Sequence, residues 1–151
     1  METILFVCKA NVGRSQIAEW LYNSNANKKS TALSIAWCEA RKEKYFEKPA
    51  ETIVSFMKNK QWIDISSQKI NYISDFSKEV FDKVNRVIYL YNPEKSLSCD
   101  LDCRIDNMSP FQYLKEKWFQ IQISPVEDPY ETWEKWYEGI VYRIHEIISK
   151  L

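Results

Sequence analysis

The stretch TILFVCKANVGRSQIAEWL, residues 3–21, decides how the chain is read. Its first part, Thr3 to Val7, is an uninterrupted apolar run containing Ile4, Leu5, Phe6 and Val7. Short runs of this kind suit a strand buried on both faces, as in parallel sheets. A polar loop with Asn11 and Gly13 follows. From Ser15 the pattern turns helical, with Ile17, Ala18, Trp20 and Leu21 on one side, and the polar residues from Asn23 to Ser30 close the helix.

Working outward, the same alternation repeats. Thr31–Trp37 reads as a second strand and Pro49–Lys58 as a helix carrying Ile53, Val54, Phe56 and Met57. A short helix around Ser77–Val84 precedes a third strand, Arg86–Leu90. A short helix over Phe111–Trp118 precedes a fourth, Phe119–Ile123. Glu131–Leu151 is the clearest helix. Trp133, Trp136, Tyr137, Ile140, Val141, Ile144, Ile147 and Ile148 fall on one apolar face. Strands alternating with helices predict an α/β fold with a parallel sheet and helices on both faces. With 151 residues, no internal repeat and no linker, the chain is expected to form one domain, residues 1–151.

Composition narrows the function. Only two glycines are present, which argues against a Gly-rich nucleotide loop, where several are needed for close backbone approach to phosphate. Net charge is zero and no basic run stands out, so nucleic acid is not an expected partner. The N-terminus lacks the basic region of a signal peptide, and no apolar stretch is long enough to span a bilayer. The expected location is cytoplasmic, with no membrane association. The four cysteines, Cys8, Cys38, Cys99 and Cys103, are then expected to be mostly free thiols. Their spacing and the single His145 do not make a zinc site. His145 reads as a surface or helix-end residue.

The first loop carries the chemistry. In open α/β sheets ligands bind outside the carboxyl ends of the strands, and this loop lies there. Cys8 and Arg14 form a Cys-x5-Arg pattern, long enough to wrap a tetrahedral oxyanion. Backbone N–H groups of Lys9, Ala10, Asn11, Val12 and Gly13, with the helix N-terminus, make an anion-binding concavity. That field favours a thiolate at Cys8, the attacking species. Arg14 holds two anion oxygens through its planar fork and stabilises charge in the transition state. Ser15 donates to the sulfur and eases its later departure. Asn11 tolerates the left-handed backbone of a tight turn.

Near the other end, Asp128-Pro129-Tyr130 follows the fourth strand and so also lies at the carboxyl edge of the sheet. Asp128 can protonate a phenolate leaving group and then act as base for water. Pro129 stiffens the turn, and Tyr130 can stack on an aromatic substrate. Read alone, such a segment is more often a helix-entry turn with Asp128 as an acidic cap.

Together the two motifs resemble the low-molecular-weight protein tyrosine phosphatases, over nearly the whole chain. Ser34-Ile35-Ala36 and Asp64-Ile65-Ser66-Ser67-Gln68 are compatible with the family's second strand and with the segment after its second helix. The resemblance implies a flavodoxin-like, three-layer sandwich with a four-stranded parallel sheet, a phosphocysteine intermediate, no metal and no cofactor. It implies Cys8 as nucleophile, Arg14 as phosphate clamp, Ser15 as thiolate partner, Asp128 as general acid, Asn11 as the residue that keeps the loop's shape, and Tyr130 in the substrate slot. The substrate would be a phosphotyrosine protein or a small aryl phosphate, with inorganic phosphate as product. Trp37, Tyr45 and Phe46 fall where the family builds its substrate wall.

Three positions depart from the family pattern. Ala10 stands where Gly is usual, Gly13 where many members carry a second cysteine, and Gln16 where Pro is common. Arg14-Ser15-Gln16-Ile17-Ala18-Glu19 is similar instead to the thioredoxin-coupled arsenate reductases, which share the fold and the anion loop. Those enzymes resolve an arseno-thiol adduct with two further cysteines. Cys99 and Cys103 are the candidates, at shorter spacing, and Asp100 and Asp102 beside them disfavour their thiolates.

Overall fold

The computed structural model describes residues 2–8, 11, 13–25, 29–36, 49, 51–72, 78–93, 112, 115–116, 120–126 and 134–151. The elements in chain order are β1 (Thr3–Cys8), α1 (Arg14–Asn23), β2 (Thr31–Ala36), α2 (Glu51–Gln61), α3 (Lys78–Asp82), β3 (Val84–Tyr89), β4 (Gln120–Ile123) and α4 (Glu134–Ser149). The strands form one sheet in the order β2-β1-β3-β4, every pair parallel.

The unbroken apolar run of β1 is explained by its central position. Ile4, Phe6 and Cys8 turn to one face, where Ile17, Ala18 and Leu21 of α1, Ile53, Phe56 and Met57 of α2, and Ile140, Val141, Ile144, Ile147 and Ile148 of α4 cover them. Leu5 and Val7 turn to the other face, against Ile35, Phe81 of α3, Val84, Val87 and Tyr89. Both faces being covered, period-two alternation of polarity vanishes from the strand, as expected for a parallel sheet between helices. Each fully buried residue such as Ile4 or Phe6 contributes about 1.5–3 kcal/mol relative to exposure. The result is the flavodoxin-like α/β architecture.

Boundaries shift for local reasons. β3 starts at Val84, two residues before its apolar pattern begins, because Asn85 faces outward and its side-chain oxygen accepts from the Thr3 N–H at 2.8 Å. α2 runs on to Gln61 because its last turn is exposed and needs no apolar residue. It stops at Trp62, whose backbone is left-handed, with φ 58°. α1 begins one residue early, at Arg14. The expected Phe111–Trp118 helix lies largely outside the described residues, within which Gln112, Lys115 and Glu116 are helical. On α4 the described residues of the expected apolar face are buried or half-buried, while Tyr142 and His145 are exposed.

β1 has its sequence neighbour β2 on one side and β3 on the other. The connections leaving the sheet here diverge in opposite directions. This is a topological switch point, where a crevice opens beyond the strand ends. Cys8 is the last residue of β1.

Candidate active site

Cys8 Sγ is the centre of a buried hydrogen-bond cluster. It lies 2.9 Å from Ser15 Oγ and receives the Asn11 N–H at 3.2 Å. Asn11 Nδ2 donates to Ser15 Oγ at 2.7 Å. Cys8, Asn11 and Ser15 are all essentially inaccessible to solvent.

The direction of these bonds follows from the backbone groups around them. Asn11 Oδ1 faces the N–H of Asn71 at 2.8 Å, and a backbone N–H can only donate. The amide oxygen must point there, so the amide nitrogen must point at Ser15. Ser15 Oγ accepts from Asn11, and its hydroxyl is within reach of Cys8 Sγ as a donor. Asn11 itself has φ 55°, and no described glycine has a positive φ. The left-handed turn therefore falls on a non-glycine type that tolerates it.

Arg14 opens α1 and is 6% exposed. Its Nη1 donates to Val126 O at 3.0 Å and to Leu90 O at 3.4 Å, carbonyls just beyond β4 and β3. The backbone continues the sheet past these strand ends, with Leu90 N on Val7 O and Val126 N on Leu90 O. One guanidinium nitrogen is thus spent on fixing the fork to the sheet edge. The first turn of α1 carries no acidic residue of its own.

Gln16 and Asn71 complete the surroundings. Gln16 Nε2 donates to Asn11 O at 3.0 Å, Asn11 Oδ1 at 2.9 Å and Lys69 O at 2.7 Å. Residues 69–72 lie along the outer edge of β2, where Ala36 N donates to Asn71 O at 2.7 Å and Tyr72 pairs with Ala36. Asn71 Nδ2 also donates to Ser34 O at 3.2 Å. On the far side of Ser34, its hydroxyl donates to Glu19 Oε2. Burial pushes the Glu19 carboxyl above the ordinary carboxylate range, against the lowering effect of the Ser34 hydrogen bonds.

The structure therefore brings together Cys8, Asn11, Gly13, Arg14 and Ser15. Lys9, Ala10, Val12, Asp128 and Tyr130 lie outside the described residues, as do Cys38, Cys99, Cys103, Trp37, Tyr45 and Phe46. Cys8 is a free thiol. Among the described residues no cluster of His, Cys, Asp or Glu could hold a metal ion, and no helix is long and apolar enough to cross a membrane. Sequence patterns alone miss the anchoring carbonyls of Leu90 and Val126 and the clamps from Gln16 and Asn71. Backbone carbonyls leave no trace in side-chain identity, and Gln16 stands out only as a departure.

A comparison with curated protein sequences finds no match. Among solved structures the chain is similar to an arsenate reductase in its phosphate-binding state, with a TM-score of 0.66, 23% identity, and coverage of 99% of this chain and 95% of that one. It is similar to a low molecular weight protein tyrosine phosphatase from T. tengcongensis, with a TM-score of 0.65, 20% identity and both chains covered in full at 100%. Wzb of Vibrio vulnificus in complex with benzylphosphonate gives a TM-score of 0.68 at 14% identity, covering 99% of each chain. These likenesses establish a shared fold. The family model for low molecular weight phosphotyrosine protein phosphatase matches residues 3–151, and the chain belongs to that family of hydrolases.

Proposed function

We propose that residues 1–151 form one catalytic domain that hydrolyses phosphotyrosine or another aryl phosphate monoester through a phosphocysteine on Cys8. The observation that carries this reading is the buried Cys8 sulfur with two donors aimed at it, beside the anchored Arg14. The thiolate attacks phosphorus and the ester oxygen leaves as a phenol. The Arg14 fork and the loop N–H groups balance the charge on the equatorial oxygens. Water then attacks phosphorus, releasing inorganic phosphate and restoring the thiolate, which the Ser15 hydroxyl stabilises as it departs.

Asp128 is the general acid for the first step and the base for the second. In support, Arg14 holds the Val126 carbonyl, and two residues of chain span at most ~7 Å. Tyr130 lines the substrate slot, with Lys9, Ala10, Val12 and Gly13 in the anion loop. A nucleophile that works as a free thiolate needs a reducing compartment, which favours a cytoplasmic location.

Para-nitrophenyl phosphate turnover tests the mechanism. Cys8→Ser should abolish it, and residual turnover at wild-type rate would exclude a phosphocysteine. Asp128→Asn should lower kcat by about 10²–10⁴-fold, the ordinary contribution of proton transfer, while leaving vanadate affinity nearly unchanged.

Arsenate reduction is a second reading, favoured by the Arg14-Ser15-Gln16 sequence. It needs Cys99 and Cys103 to resolve the adduct on Cys8. Arsenate-dependent oxidation of thioredoxin that disappears in Cys99→Ser and Cys103→Ser would establish it.

A further inference from the structure

Gln16 is one of three positions at which this chain leaves the pattern of its family, and its surroundings give it a task. The side chain is fully buried in the first turn of α1. Its Nε2 has two hydrogens and faces three acceptors. One of these, Lys69 O, lies in the stretch along the outer edge of β2. The other two, Asn11 O and Asn11 Oδ1, belong to the left-handed residue of the loop. One amide thus grips both the backbone and the side chain of Asn11 and ties them to a segment more than fifty positions away in sequence.

The other end of the same amide is unfavourable. Gln16 Oε1 is buried and meets no donor among the described residues. Burying an acceptor without a donor opposes folding. A side chain of the same length without polar atoms, such as Met, would fill the space and avoid that cost. Helix propensity does not favour Gln over Met either. The position therefore holds an amide for the sake of its two N–H groups, and both are directed at loop geometry.

We propose that Gln16 is a positioning residue for the reaction at Cys8, acting through Asn11. By holding Asn11 Oδ1 and Asn11 O, it fixes the amide whose nitrogen orients the Ser15 hydroxyl and whose backbone N–H is given to the sulfur. It touches neither sulfur nor substrate. Through Lys69 O it makes the loop's shape depend on the docking of residues 69–72 against β2. The inference rests on the phosphatase reading for its kinetic readout only.

Two variants test it, in the full-length chain. Gln16→Met removes the donors and the stranded acceptor together. Its thermal stability should fall, because Asn11 O, Asn11 Oδ1 and Lys69 O lose their donor, and by less than that loss alone because the stranded oxygen goes too. Its kcat for para-nitrophenyl phosphate should fall about tenfold, the equilibrium value of one or two hydrogen bonds, and its vanadate affinity should fall alongside. Gln16→Glu places a carboxylate against three carbonyl-type oxygens. That charge repels the loop, whereas the protonated acid can donate one hydrogen bond. The ratio of its activity to wild type should climb as pH falls. Wild-type kcat and vanadate affinity in Gln16→Met would overturn the proposal, as would a flat pH ratio in Gln16→Glu. Failure of both variants to fold would make Gln16 a structural residue and overturn it equally. Should the wild type hydrolyse no aryl phosphate, the phosphatase reading fails. Vanadate protection of Cys8 from iodoacetate then reports on Gln16 independently, weakening in Gln16→Met if the proposal holds and unchanged if it does not.

Discussion

Asn11→Ala removes in one step the side chain that holds the loop and the residue type that accepts its backbone. Three hydrogen bonds disappear: one donated to Ser15 Oγ, and two accepted from Gln16 Nε2 and Asn71 N. At roughly 0.5–1.5 kcal/mol each they sum to about 1.5–4.5 kcal/mol. Alanine at φ 55° costs about 1 kcal/mol more, because it keeps the Cβ that crowds the following carbonyl and lacks the short polar group that lets Asn tolerate this region. The total, about 2.5–5.5 kcal/mol, is a large share of the ~5–15 kcal/mol that holds a typical native protein together. Asn11→Gly separates the two causes, since glycine loses the same bonds without the backbone cost. Chemical denaturation should place the Gly variant about 1 kcal/mol above the Ala variant and both below wild type. Turnover should suffer in both, by about 10²–10³-fold if most of the lost energy had been holding the loop for the transition state. Para-nitrophenyl phosphate kinetics and urea melts give both readings on one preparation. A Gly variant with full activity would show that the side-chain bonds do not set the loop's geometry. An Ala variant as stable as wild type would refute the energetic reasoning altogether.

Two further perturbations lie outside the loop. Glu19→Gln should change how stability depends on pH. The native carboxyl is held above the ordinary carboxylate value by burial, so between the ordinary and the raised value the folded state binds more protons than the unfolded one. Wild-type stability should fall as pH rises through that window and then level off. The glutamine variant lacks this penalty, so its advantage should be smallest in acid and grow as pH rises through the same window. A difference independent of pH in urea melts would contradict it. Trp62→Gly should stabilise the protein, because the indole is 91% exposed and the backbone at φ 58° is one that glycine adopts freely. A gain of about 1 kcal/mol corresponds to a rise in Tm of roughly 2–4 °C in a domain of this size, measurable by calorimetry. A lower Tm would show that Trp62 makes a stabilising contact in the folded state.

The parts of this molecule that can be read from sequence are those made by near neighbours in the chain. β1, the loop and α1 are contiguous, and every bond among Cys8, Asn11 and Ser15 spans at most seven residues. Residue types at short spacing therefore carried enough information to place the sulfur, its hydroxyl partner and the left-handed asparagine. The faces of β1 and α4 were legible for a similar reason, since burial on both sides or on one side leaves its period in the apolar residues. What escaped is long in range or written in the backbone. Gln16 reaches Lys69 across 53 positions, and Arg14 reaches Val126 across 112. No local pattern distinguishes a carbonyl that will receive such a bond. The ends of α2 and β3 differ from the expected bounds because exposed polar residues such as Asn59, Lys60 and Asn85 extend an element without extending its apolar pattern.

The long-range part bears directly on reactivity. The residues around Cys8 are supplied locally, but their geometry is closed by two clamps. Arg14 is fixed by carbonyls beyond β3 and β4, on one side of β1. Asn11 and Gln16 are fixed by residues 69–71, along the edge of β2 on the other side. The segment from Cys8 to Ser15 can therefore be written into a short sequence and still have no defined shape until both halves of the sheet have assembled around β1. A left-handed asparagine, a buried guanidinium and a stranded amide oxygen are each unfavourable alone. They persist because the assembled sheet holds donors and acceptors on both sides of the switch point. The donors at the Cys8 sulfur are thus set by the completed fold, and the loop sequence supplies only the groups for it to orient.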